Sequence, residues 1–212
     1  MGWNVKATGA YARLSQEAYD NALTIYSILY SLGWTLEAVC GVLGNIESES
    51  GYNPWRWQGD IVLPEGDPRI EYQNGHAYGL CQWDPASKYI YNGSAYAGYG
   101  PNYSNKAGWI NDGSAQLMYL HDNADYIPTG SYPLSYEQYK HATIDSYSID
   151  YLTRAWFSNF ERGTWDEGRS AAASYWWSVF SGGPPPPDPP DPDPPRRIPI
   201  WLLFKIKEAN KL

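Results

Sequence analysis

The apolar positions of the first fifty residues fall into two helical stripes. In "LSQEAYDNALTIYSILYSLGW", Ala18, Ala22, Ile25 and Leu29 recur every three or four residues, the spacing that gathers side chains on one face of an α-helix. Ser15 stands where an N-cap belongs, and Gly33 breaks the run. A second helix is predicted to start at once, capped by Thr35, with Trp34 and Val39 in the positions of a hydrophobic staple. It runs through "LEAVCGVLGNIES" and ends near Ser50, where Gly51 supplies a left-handed exit.

From Tyr52 to about Asn111 the periodicity fades and Gly, Asn, Asp, Pro, Ser and Tyr take over. One stretch, "IEYQNGHAYGLCQW", sets Asn74-Gly75 between short alternating runs, the signature of a β-hairpin. Helical patterning returns in "SAQLMYLHDN" from Ser114 and in "SYEQYKHA" from Ser135, which opens with a Ser-x-x-Gln capping box. It continues in "SIDYLTRAWFSNFERG", with a stripe of Leu152, Ala155, Trp156 and Phe160, and in "DEGRSAAASYWWSVF". The expected fold is α+β and mainly α, with one small hairpin excursion after the second helix. This domain occupies residues 1–182. Residues 183–197, "GPPPPDPPDPDPPRR", form a stiff polyproline spacer. Residues 198–212 form a short apolar and basic segment suited to docking and too short to span a bilayer.

Composition changes the picture in three ways. A net charge of −8 argues against nucleic acid as the main partner. Twenty Tyr and 11 Trp stand against only 4 Phe. Flat apolar faces with hydrogen-bonding edges suit sugars, though they serve equally well as core. Three scattered His and two Cys lack any metal-ligand spacing, so neither a metal nor a cofactor is expected. Whether Cys40 and Cys81 pair is left open by their spacing. The opening "MGWNVKATGAYARL" has no basic region followed by an apolar one, so no secretory leader is expected there.

The chemistry concentrates in "GVLGNIESESGYNPWRWQ", where Glu47 and Glu49 close a helix and an aromatic loop succeeds it. Cleaving a glycosidic bond requires a carboxylic acid that keeps its proton near neutral pH, and burial against apolar groups provides for that. The helical wheel sets Glu47 slightly closer to the buried stripe, but both residues lie in the last turn, where regular geometry is least dependable. Periodicity therefore does not choose between them.

"GNIESESGYNP" followed by "YGLCQWDP" resembles the motif pair of phage tail-associated lysozymes, in which a helix ending in Gly-Asn-Ile/Met-x-x-Glu-Ser meets a downstream Gly-Leu-x-Gln-Trp. "AWFSNFERG" is similar to the Phe-Glu-Arg helix of that family, and the resemblance spans Thr35 to Arg162. It implies a lysozyme-like fold and cleavage of the β-1,4 bond between N-acetylmuramic acid and N-acetylglucosamine in peptidoglycan. The catalytic acid then falls on Glu49, and Gln82 lines the sugar cleft. Tyr78, Trp83, Trp57 and Trp55 are candidates for stacking on sugar rings. A hydrolase also benefits from a second carboxylate. Among Asp60, Glu65, Asp67, Glu71 and Asp84, Asp60 lies closest after the Trp-Gln run and is the first choice. A lytic transglycosylase would need none.

The implied setting is a virion, in a phage tail or internal core. The implied partners are the glycan strands of the cell wall and, through the C-terminal segment, tail or core proteins. A non-catalytic wall-binding or structural tail protein on the same fold is the rival reading.

Overall fold

The computed structural model describes residues 2–5, 10–60, 76–86, 88–89 and 112–182. Six α-helices carry them: α1 (Gln16–Ser31), α2 (Leu36–Ser50), α3 (Asp112–Asn123), α4 (Tyr136–Lys140), α5 (Ile149–Trp156) and α6 (Gly168–Phe180). Three of the four observed hydroxyl N-caps stand where the sequence places them. The hydroxyls of Ser15 and Thr35 accept from the amides of Ala18 and Ala38, and Ser135 and Gln138 close a reciprocal capping box. The fourth, Ser148, accepts from Tyr151 at the start of α5. Each such cap contributes about 1 kcal/mol by satisfying an otherwise orphaned amide.

Helix α2 is the axis of the domain. Every residue from Ala38 to Ile46 is buried, so this helix has no solvent face along its middle. It packs chiefly against α6 and α5, with α1 beside it. Two glycines make the close approach possible. A Cβ at Gly41 would press on the Tyr139 hydroxyl and the Leu152 backbone. One at Gly44 would run into the Arg169 carbonyl and Ala173.

The remaining space is filled largely by aromatic rings. Trp34, Trp156, Tyr126, Tyr136 and Tyr139 form one continuous cluster with centroids 5.3–6.4 Å apart. Tyr52, Trp176 and Phe180 form another. Much of the Tyr and Trp excess is therefore core.

One expectation is revised, and one is not shown. The stripe in "SIDYLTRAWFSNFERG" is not one α-helix. After Trp156 it widens into a π-helical turn, Phe157–Glu161, which ends at Arg162 in the left-handed region (φ 58°). The β-hairpin is not shown. Its Asn74-Gly75 turn lies outside the described residues. The neighbouring chain forms a pair of isolated antiparallel bridges, Trp57 with Tyr78 and Tyr78 with Trp83. The second of them encloses a tight turn from Gly79 to Gln82, where Gly79 (φ 85°) and Gln82 (φ 44°) both adopt positive φ. The spacer and C-terminal segment, residues 183–212, also lie outside the described residues, as does the stretch from 90 to 111.

Candidate active site

The end of α2 is electrostatically awkward by itself. Its last turn carries Glu47 and Glu49 and no basic residue, although the negative end of a helix dipole disfavours carboxylates there. The compensating cations come from distant parts of the chain. Arg13, just ahead of α1, lies 3.6 Å from Glu47, and Arg169, at the start of α6, lies 2.6 Å from Glu49. The two carboxylates are about equally shielded, at 23% and 20% side-chain exposure. They differ in the side of the helix they serve.

Glu47 belongs to a structural network. The Trp176 indole donates to the Tyr52 hydroxyl, which donates to Glu47, both at 2.6 Å. Burial raises the Glu47 carboxyl above its ordinary range; the Tyr52 hydrogen bond and Arg13 oppose this, and Asp166 adds to it. Tyr52 comes directly after the left-handed Gly51 cap and is itself at φ 63°, a conformation that costs a non-glycine residue of the order of 1 kcal/mol or more. Its side-chain bonds and the donation from Asn21 to its carbonyl (2.8 Å) hold it there. This network fixes the direction in which the chain leaves the helix.

Glu49 faces a different group of side chains. Arg169 is only 7% exposed. It donates through Nη2 to Glu49 and through Nη1 to the side-chain oxygen of Asn45 (3.1 Å), and it lies 5.0 Å from the centre of the Phe157 ring. Asn45 is fully buried. Its amide donates to the carbonyls of Gly41 and Thr153, so one side chain ties α2 to α5 and sets the guanidinium. The π-helical turn brings up a second carboxyl, Glu161, which accepts from the Trp156 indole at 3.1 Å. Burial pushes Glu161 well above the usual carboxylate range. The charge of Glu49 pushes it the same way, while Arg169 and the indole hydrogen bond pull it back.

The Gly-Leu-Cys-Gln turn is tied to the chain that leaves α2: the Gly79 amide donates to the Arg56 carbonyl at 2.9 Å. Burial raises the Cys81 thiol far above its ordinary value, and the charges of Glu161 and then Glu49 raise it further. The thiol therefore stays protonated and neutral. Cys40 and Cys81 are both free and buried, which resolves the question of a disulfide.

The residues expected to line a sugar groove divide into two groups. Tyr78, Trp57 and Trp83 are 0%, 1% and 8% exposed. Tyr78 packs on Trp57 at 4.4 Å, and Trp83 stacks on Tyr89 at 4.9 Å. These rings are interior and anchor the loop. Trp55 and Gln82 keep part of their surface exposed. The Gln82 amide donates to the carbonyls of Arg56 and Gly79, both at 2.9 Å, which closes the turn on itself. Asp60 ends a short 3-10 turn, Gln58–Asp60, but its side chain lies outside the described residues, as do Glu65, Asp67 and Glu71. Asp84 is exposed.

Three residues of this site carry no role that the sequence alone assigns. Asn45 and Glu161 stand inside the quoted motifs without a distinguishing signal. Arg169 has a visible one: it shares the buried stripe of α6 with Ala172, Ala173, Trp176 and Phe180, and an arginine on an apolar stripe needs a charged partner. Among the described residues, no group of three or more His, Cys, Asp or Glu side chains is placed to hold a metal ion.

A family model described as phage tail lysozyme matches residues 20–180 of the chain. Morphogenesis protein 1 of Bacillus phage B103 is 41% identical over 75 residues, which is 35% of this chain. That match spans only 18% of the relative's own length.

Proposed function

Because the chain belongs to the phage tail lysozyme family, we propose that it cleaves peptidoglycan at the β-1,4 bond between N-acetylmuramic acid and N-acetylglucosamine, with Glu49 as the acid. The observation that carries this reading is the setting of Glu49. It lies in the last turn of the buried helix α2 and is fixed by a guanidinium that Asn45 clamps in turn. A residue with only a surface role requires none of this. The acid protonates the leaving oxygen as the glycosidic bond breaks, a contribution typically worth about 10²–10⁴-fold in rate.

Trp55 and Gln82 are the proposed substrate contacts, since they retain exposed surface. Either water or the sugar's own C6 hydroxyl completes the reaction, giving a hydrolase or a lytic transglycosylase. The setting proposed is a phage particle that opens the host wall locally. The proline-rich spacer is then a tether, and residues 198–212 are a docking segment for tail or core proteins.

Glu49→Gln is expected to fold normally and to lose at least about a hundredfold of its activity in dye release from labelled cell walls. Glu47→Gln, which keeps an acceptor for Tyr52, is expected to retain most of it. Full activity in Glu49→Gln would remove the proposed acid. Tight binding to walls without turnover by the wild type would favour a wall-binding tail protein instead.

A further inference from the structure

We propose that Gln116, on α3, is a positioning residue for the substrate groove. Its side-chain amide holds the chain that carries Trp55 and the turn that carries Gln82 at one fixed spacing. The inference rests on the glycan-cleaving reading, with Trp55 and Gln82 as substrate contacts, and adds the residue that sets those two relative to each other.

Gln116 is fully buried and belongs to neither of the segments it joins. Its Nε2 donates to the Pro54 carbonyl at 2.8 Å, and its Oε1 accepts from the Leu80 amide at 2.7 Å. Pro54 directly precedes Trp55, and Leu80 lies just ahead of Cys81 and Gln82. The two segments also meet each other: the Arg56 carbonyl accepts from the Gly79 amide and from the Gln82 side chain, both at 2.9 Å. Trp55 therefore sits between two anchored carbonyls, with Pro54 held from α3 and Arg56 held from the turn. Helix α3 is a firm base for this clamp. It packs against α1, and the Trp3 indole donates to the Ser114 hydroxyl near its start at 3.0 Å.

The chemistry of the two anchor points explains the residue type. One presents a carbonyl and the other an N–H, so a single side chain must donate at one end and accept at the other. A primary amide does both while uncharged, which suits a buried position. An ionised carboxylate has no proton for Pro54, and a methionine offers neither bond. The fit is close. A Cβ on Gly79 would lie 2.6 Å from Gln116 Oε1 and 2.9 Å from its Cδ, so the glycine of the Gly-Leu-x-Gln turn leaves room for this amide as well as supplying a φ of 85°.

Being buried, Gln116 acts through the backbone of the two segments and not on the sugar. Loss of the clamp should therefore weaken substrate binding more than it slows the chemistry, a rise in KM with kcat little changed.

The test compares full-length wild type, Gln116→Met and Gln116→Glu in kcat and KM on soluble glycan fragments of peptidoglycan across pH. In Gln116→Met, KM should rise at least about fivefold with kcat within about threefold. Gln116→Glu gives the sharper signature. Burial raises its carboxyl, so in mildly acidic solution the group is protonated, accepts from Leu80 and donates to Pro54 as the amide does. Its KM relative to wild type should be near one there and climb toward that of Gln116→Met as the proton is lost. This variant also remains informative if Gln116→Met does not fold, because acid restores the native hydrogen bonds. A fall in kcat at constant KM, or a Gln116→Glu as impaired in acid as in alkali, would overturn the proposal.

Affinity for the same fragments, measured by calorimetry in the Glu49→Gln background, keeps the two readings apart. Wild type that binds glycan without cutting it would sink the proposed activity, and a weaker Kd in the Gln116→Met form would leave the clamp standing. An active wild type whose Kd and KM are both unmoved by Gln116→Met would sink the clamp alone.

Discussion

At the scale of single residues, the site depends on a few polar side chains that are buried and fully engaged. Asn45 is the clearest case. It bonds the carbonyls of Gly41 and Thr153 and accepts from Arg169, so its loss breaks the link from α2 to α5 and leaves a buried N–H group of Arg169 with only a 3.4 Å contact to the Asn45 carbonyl. Such a group costs about 1–3 kcal/mol. Asn45→Ala is therefore expected to lower stability by roughly 2–4 kcal/mol in urea denaturation. It should also reduce activity substantially by freeing the guanidinium that holds Glu49. Little change in either would mean that Arg169 is placed by other contacts. The choice between Glu47 and Glu49 is not legible from periodicity, and the structure shows why. The two are almost equally shielded. They differ in their partners: Arg13 ahead of α1 and Tyr52 just after α2 for Glu47, and for Glu49 Arg169, more than a hundred residues away in sequence.

At the scale of elements, the helices and their caps are legible because local chemistry sets them. Ser15, Thr35 and Ser135 cap where their hydroxyls can reach an orphan amide, and Gly51 ends α2 as a left-handed residue. The π-turn is not legible. Leu152, Ala155, Trp156 and Phe160 fit an α-helical stripe, and nothing in that pattern announces a widened turn after Trp156. The hairpin signal centres on Asn74-Gly75, which lies outside the described residues, and the tight turn at Gly79–Gln82, closed by the Tyr78–Trp83 bridge, carries no such signal. The aromatic wall misleads for a related reason. Composition cannot separate a ring that meets a sugar from one that fills a core, and Tyr78 and Trp57 do the latter. Close packing of α2 on α6 is foreshadowed only by the glycines themselves. Gly44→Ala puts a methyl against the Arg169 backbone, which cannot yield as a flexible side chain would. Overpacking of this kind costs about 1–3 kcal/mol, and thermal denaturation should show the loss. Because the shift moves the base of Arg169, activity should fall beyond what stability explains. An unchanged Tm would show that the two helices have room to separate.

At the scale of the whole molecule, the domain sacrifices some stability at this end of α2 for a charged site. Glu161 takes up its proton at a higher pH in the folded chain than in the unfolded one. Its contribution to stability is therefore complete below the unfolded carboxylate range and is lost as pH rises through the folded value. Glu161→Gln, which keeps an acceptor for the Trp156 indole, should be more stable than the wild type at neutral pH, with the difference shrinking as pH falls toward the ordinary glutamate range. A constant offset in Tm across pH would contradict the burial of an ionisable Glu161. The central claim is that Glu49 delivers a proton to a glycosidic bond in peptidoglycan. It is tested most directly by mass spectrometry of the fragments released from purified peptidoglycan by wild type and by Glu49→Gln. The expected result is disaccharide muropeptides from the wild type, with reducing or 1,6-anhydro muramic ends, and none from the variant. Fragments cut within the peptide stems, or the same glycan fragments from Glu49→Gln, would contradict it.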